Sequence, residues 1–210
     1  MLSSLSIDEF ARRLQSADPT PGGGSASALT GAMGASLAGM VARLTAKSPA
    51  FAAIAPRMER AAAEASDLVK EFLAAIDEDA AAFDKVSAAY HMPKASEAER
   101  RTRDAAVQQA LVGATDVPMR VVELGLRSAK LSLELAEAGN TNAISDAGCA
   151  ALFSQAAARG AALNVRINIK SLKDAALALS YEKRLEDFLA QIGIIVEVAV
   201  VKVERAVERN

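Results

Sequence analysis

Residues 19–44 read PTPGGGSASALTGAMGASLAGMVARL, and no residue from Pro19 to Ala42 is charged. The stretch Pro19-Thr20-Pro21-Gly22-Gly23-Gly24-Ser25 joins prolines, which fix the backbone, to glycines, which let backbone N–H groups approach a ligand closely. Behind it, Ala26–Leu44 predicts a helix built mostly of Gly, Ala, Ser and Thr. Ser27, Gly31, Ala35 and Gly39 recur every four residues, fall in one column and strip that face of bulk, so a second backbone can come very close. The run is long enough to cross a bilayer, but its Gly, Ser and Thr give a poor transfer energy and no basic flank precedes it. Asp8, Glu9, Arg12 and Arg13 sit where a signal peptide needs an apolar core. The stretch therefore predicts tightly packed helices with a ligand loop at the head of one of them, and no membrane partner.

Working outward, the 210 residues suffice for a single domain over 1–210 with a real core. The hydrophobic share of 51% rests largely on alanine, with aromatics at only 4%, which favours helices meeting at short distance over a sandwich or barrel. A net charge of −2 offers no field for nucleic acid. One cysteine and one histidine exclude a disulfide framework and any metal cage built on those residues. Cytoplasmic residence is the default expectation, and acid–base chemistry falls to carboxylates, Lys, Tyr or bound water.

Ser6-Ile7-Asp8-Glu9 has the form of a capping box for a short amphipathic helix that stops near Asp18-Pro19. After the small-residue helix, which ends around Lys47-Ser48-Pro49, an alanine-rich pattern runs from Pro56 to Pro93 without a breaker. Ser96-Glu97-Ala98-Glu99 caps the next helix, which carries to Gly139-Asn140 with a kink expected at Pro118. Ser145 or Asp146 is expected to cap a helix reaching about Lys170, and Leu177–Val203 carries the last apolar stripe. The architecture predicted is all-α, a bundle of five or six helices, several of them long.

Asp77-Glu78-Asp79, followed by Phe83 and Asp84, interrupts an otherwise apolar helical pattern. Such carboxylates form either a solvated face or a partly desolvated pair with raised pKa. Asn140, Asn142, Ser145 and Asp146 crowd a turn that feeds an uncharged helix, and capping accounts for one or two of them. Asn164 and Asn168 share one face among Leu163, Val165, Ile167 and Ile169, where amides need partners, either a ligand or a neighbouring loop. Cys149, among Gly and Ala, reads as a small core residue, His91 as exposed, and Arg100, Arg101 and Arg103 as a solvated helix start.

Five blocks in order, Pro19–Ser25 with its helix, Asp77-Glu78-Asp79-x-x-x-Phe83-Asp84, Pro93-Lys94, Gly139-Asn140-x-Asn142-x-x-Ser145-Asp146 and Ala162-Leu163-Asn164-Val165-x-x-Asn168, resemble the folate cyclodeaminase/cyclohydrolase family over nearly the whole chain. Met92, Thr141 and Cys149 depart from the family pattern without removing a reactive group. The resemblance implies an all-helical homodimer or dimer of dimers, with a folate pocket near subunit contacts and a substrate with or without a polyglutamate tail. It implies no metal and no cofactor beyond tetrahydrofolate as the substrate carrier.

The local likeness of Asn142–Gly148 favours a methenyltetrahydrofolate cyclohydrolase, which reversibly hydrolyses the 5,10-methenyl bridge to 10-formyltetrahydrofolate. The alternatives are a formiminotetrahydrofolate cyclodeaminase, which closes the same bridge with release of ammonia, and a non-enzymatic helical scaffold. On this resemblance Asp77, Asp79 or Asp146 is the base or stabilises the cationic bridge, and Lys94 assists proton transfer or holds an anionic group. Pro21, Gly22, Gly23, Gly24, Ser25, Asn140, Asn142, Asn164 and Asn168 are the expected binding residues.

Overall fold

The computed structural model describes residues 1–208. Its helices are α1 (Ile7–Leu14), α2 (Gly23–Lys47), α3 (Ala55–His91), α4 (Glu97–Ala138), α5 (Ile144–Ile169) and α6 (Ala175–Val207). Short 3-10 turns occupy Leu2–Ser4, Pro49–Ile54 and Thr141–Ala143, and there is no strand among the described residues. The all-α expectation therefore holds.

The caps explain most of the boundaries. The Ser6 hydroxyl accepts from the Glu9 N–H, and Ser96 and Glu99 form the reciprocal capping box. Asp174 accepts from the Leu177 N–H and opens α6 at Ala175, earlier than the apolar stripe alone suggests. Neither Ser145 nor Asp146 caps α5: the helix starts at Ile144, and Asn140 instead accepts from the Asn142 N–H in the preceding turn. A side chain that caps must precede its helix, and those two residues already lie in its first turn.

The central helix α2 runs antiparallel to both α3 and α5, and its small residues set the spacing. A Cβ added to Gly31 would lie 2.3 Å from the Phe72 ring, and one on Gly39 would lie 3.1 Å from Ala65, both on α3. On the α5 side Gly34 meets Ala150, Phe153 and Ser154, and Ser27 meets Gly160. The close approach read from the sequence column thus occurs inside the chain. Next, Gly125 of α4 packs on Ala158 of α5, and Ser154 donates to Ser128 at 2.8 Å. Tyr181, Leu185, Ile192, Val196 and Ala199 of α6 close the core.

α4 passes Pro118 unbroken. Proline has no N–H, so the Ala114 carbonyl loses its helical partner. The Asn168 side-chain amide donates to that carbonyl at 2.7 Å and replaces the missing bond.

By length and composition α2 could cross a membrane, its most apolar window having a mean hydropathy of 1.2. In this fold 61% of that window is buried. Cys149 corrects the core expectation: it is exposed, on the face of α5 turned away from buried Ala147, Gly148 and Ala150.

The end of α3 and the N-terminal part of α4 form a hairpin overhang packed separately from the main core. Ala89, Val107 and Leu111 form a small core of their own there. The α5–α6 turn braces it, the Lys173 ammonium reaching Asp104 at 2.7 Å.

Candidate functional site

The head of α2 meets the middle of α3 and the end of α5. Gly22 is the N-cap of α2, and no side chain satisfies the N–H groups of its first turn from the cap position. Asp79 of α3 presses against that turn: a Cβ on Gly24 would lie 2.2 Å from Asp79 Oδ1, so only glycine lets the carboxylate sit there. The buried Ser25 hydroxyl donates to Asp79 Oδ2 at 2.8 Å and lies 3.2 Å from the Ile76 carbonyl oxygen. Burial pushes the Asp79 carboxyl above its ordinary value, against the opposing pull of the Ser25 hydroxyl and backbone.

Asn164 completes this group from α5. Its Nδ2 donates to the Gly160 carbonyl at 3.1 Å and lies 3.7 Å from where a Gly23 Cβ would be. Gly23 itself is exposed and its φ is not positive, so its lack of a side chain keeps the space before Asn164 open rather than serving a turn. Pro21 is buried beneath the loop.

Asp77, two residues from Asp79, points elsewhere. Its carboxylate accepts from the backbone of Leu2 and Ser3 and from the Ser3 hydroxyl, tying down the N-terminal turn. Burial raises its pKa, but those hydrogen bonds and the nearby N-terminal charge outweigh burial and hold it below the ordinary carboxylate value.

Three other expected site residues lie at the far end of α2. The Asn140 N–H donates to Thr45 Oγ1 at 2.8 Å, and Asn142 and Asp146 follow in the same corner. Thr45 stands 22 positions along α2 from Gly23, about 33 Å at the helical rise. Lys94 is exposed on the α3–α4 loop, beyond the end of the overhang. Asn168 is engaged on Ala114 opposite Pro118. One chain therefore brings together Pro21–Ser25, Asp79 and Asn164, and leaves Asn140, Asn142, Asp146 and Lys94 apart from them.

Beside Asp79 the sequence reading missed a polar hollow of about 390 Å³ lined by Glu78, Asp116, Arg120, Glu123 and Arg184. Arg120 pairs with Glu78, and Arg184 with Glu123 at 2.6 Å. Tyr181 donates to Asp116, and its hydroxyl is pushed up to about 12 by burial and by that carboxylate. The available signal was Arg120, a charge two residues past a mid-helix proline. Next to this hollow, an open cleft of about 830 Å³ between α3 and α4 is lined mainly by alanines, with Glu78, Lys85 and Gln109 as its polar groups.

Fold and site define a helical bundle with a desolvated carboxylate, an amide and a glycine helix head at one end. Residues 6–187 match the formiminotransferase-cyclodeaminase family, and the chain belongs to that family. It is 40% identical over 197 residues to methenyltetrahydrofolate cyclohydrolase of Methylorubrum extorquens, covering 94% of this chain and 95% of that one. It is 30% identical to the formimidoyltransferase-cyclodeaminase of Rattus norvegicus, over 90% of this chain and 35% of that longer protein. The crystal structure of formiminotetrahydrofolate cyclodeaminase from Thermotoga maritima superposes with a TM-score of 0.90 at 32% identity, covering 99% of this chain and 100% of that one.

Proposed function

We propose that the protein is a methenyltetrahydrofolate cyclohydrolase. The observation that carries this reading is the 40% identity to a cyclohydrolase over nearly the full length of both chains. The site chemistry supports it. In 5,10-methenyltetrahydrofolate the bridge carbon is an electrophilic amidinium. Asp79, held by Ser25 with its pKa raised, is the group suited to take a proton from the attacking water. The new C–O bond gives a neutral tetrahedral carbinolamine. Its C–N5 bond then breaks as a proton is delivered to N5 and the carbinol hydroxyl gives up its proton to solvent, so that a formyl C=O stays on N10. The same carboxyl, protonated in the first step, is the acid at hand for the second. The N–H groups at the head of α2 that Asp79 leaves free and the Asn164 amide orient the substrate.

A cyclodeaminase is the second reading, favoured by the close superposition on the Thermotoga maritima enzyme. It uses the same groups: the second nitrogen attacks a formimino carbon and ammonia leaves. The finer parts of the proposal are a homodimer or dimer of dimers in the cytoplasm, no cofactor beyond the tetrahydrofolate carrier, and no membrane or nucleic-acid partner. Supplying purified protein with each substrate in turn, while following methenyl absorbance and ammonia release, separates the readings. Bridge hydrolysis without ammonia is expected, ammonia release with methenyl formation would favour the deaminase, and turnover of neither substrate would remove the enzyme reading.

A further inference from the structure

The cleft between α3 and α4 begins where the surroundings of Asp79 end. Asp79, Ala82 and Lys85 follow one another at three-residue spacing and form one inclined ridge on α3. Asp79 presses on the head of α2, whereas Ala82 and Lys85 already line the cleft of about 830 Å³. Ala106, Ala110 and Gly113 of α4 leave the opposite wall equally bare, and a Cβ added to Gly113 would meet nothing within 4 Å. Two walls made mostly of methyl groups suit a flat apolar group.

Lys85 carries the one uncommitted charge of this cleft. The residues three and four positions from it on α3 are Ala81, Ala82, Ala88 and Ala89, so no carboxylate stands where a helical ion pair would form. Among the described residues no carboxylate pairs with it from another element either, although Arg57, Lys70, Arg120 and Arg127 of the same two helices each have such a partner. The cleft's own carboxylate, Glu78, is taken by Arg120. Lys85 lies six residues beyond Asp79, about 9 Å along the helix.

A ligand that starts at Asp79 and fills this cleft is therefore flat and apolar first, and anionic at the level of Lys85. In 5,10-methenyltetrahydrofolate the bridge carbon is bonded to N10, and beyond N10 come a benzene ring, an amide and the glutamate carboxylates, in that order. We propose that the α3–α4 cleft takes the 4-aminobenzoylglutamate tail of the substrate, with the ring over Ala82 between the two helices and a tail carboxylate on the Lys85 ammonium. This assignment rests on the folate reading above and gives the direction in which the tail leaves the reacting bridge. Lys94, expected from the resemblance to hold an anionic group, does not line the cleft.

Two substrates and two variants test it. One substrate is 5,10-methenyltetrahydrofolate, and the other is the same compound with a methylamide in place of the glutamate. Lys85→Gln is expected to raise KM for the folate about five- to tenfold with kcat nearly unchanged, and to leave KM for the methylamide where it was. An equal change for both substrates, or none for either, would overturn the proposal while leaving the cyclohydrolase reading standing. Gly113→Leu fills the slot without a clash and improves helix propensity. It is expected to raise KM for both substrates at wild-type helicity, because both carry the ring, and an unchanged KM would overturn the proposal.

If the wild-type protein turns over neither the methenyl nor the formimino substrate, the functional reading fails separately. Binding of 4-aminobenzoylglutamate alone to the full chain, followed by ligand-observed NMR, then decides the cleft. Binding that Lys85→Gln and Gly113→Leu both weaken supports the assignment, and no binding, or binding that either variant leaves unaltered, would overturn it.

Discussion

Gly24→Ala separates the steric role of a residue from its chemical one. The added Cβ would lie 2.2 Å from Asp79 Oδ1, 2.6 Å from Cγ and 2.7 Å from Oδ2, so its three nearest neighbours all belong to one side chain. Favourable contacts to carbon begin near about 3.5 Å, so the carboxylate must retreat by roughly 1 Å. It does so by rotating off the Ser25 hydroxyl. The lost charge-assisted hydrogen bond is worth about 1.5–3 kcal/mol. Replacing a helical glycine by alanine returns about 0.5–1 kcal/mol, and release of a carboxylate whose burial is unfavourable offsets more. The net change in stability is therefore about 1–2 kcal/mol at most, a shift in Tm of only a few degrees.

Turnover is a different matter. Moving a general base out of position is expected to lower kcat by about 10²–10⁴. Gly31→Ala is the control, because its Cβ would lie 2.3 Å from a fully buried Phe72 ring that has nowhere to go. That substitution is expected to cost about 1–3 kcal/mol by overpacking while leaving turnover per folded molecule near wild type. Urea unfolding followed by circular dichroism, beside methenyl absorbance kinetics, measures both quantities. A Gly24→Ala protein with wild-type kcat would refute the assignment of Asp79, and one less stable than Gly31→Ala would refute the steric account.

Asn168→Ala strands the Ala114 carbonyl opposite Pro118 and is expected to cost about 1–3 kcal/mol in urea unfolding. Pro118→Ala restores an N–H at that level, so a double-mutant cycle should show the Asn168→Ala loss shrinking by about 1 kcal/mol or more; additive losses would refute the repair role. Gly23→Val fills the space before Asn164 and is expected to weaken folate binding by calorimetry at unchanged helical content; unchanged affinity would make the loop purely structural. Asp77 has a folded pKa below its ordinary 3.8, so the stability it contributes is present above 3.8 and is lost as pH falls through the lower folded value. Asp77→Asn should therefore be less stable than wild type near neutrality, with the difference vanishing below that window, and its turnover should fall far less than that of Asp79→Asn.

The helices were readable from sequence because each is long, amphipathic or alanine-rich, and signalled by local chemistry at Ser6, Ser96 and Gly139. Errors arose where a distant residue did the local work. α2 starts at Gly23 rather than Ala26 because Asp79, from another helix, sits against its first turn. α4 survives Pro118 because Asn168 supplies the missing donor. Asp77 and Asp79 look equivalent in sequence, yet two positions on a helix are about 200° apart, which sends one to the N-terminal turn and the other to the glycines. The candidate residues were legible as motifs, whereas their division between the two ends of α2 follows from the antiparallel packing of α2 on α5, which no local pattern encodes.

The lack of charge that lets α2 sit at the centre also shapes how the chain is made. α2 leaves the ribosome long before α5, whose last residue lies 122 positions after the end of α2. At about 5–20 residues per second, roughly 6–24 s separate the two. Throughout that interval a greasy, neutral segment has only α3 and the growing α4 to shelter it. Slow translation, or a shortage of chaperones able to hold nascent chains, would therefore harm this protein sooner than one whose innermost helix is synthesised last.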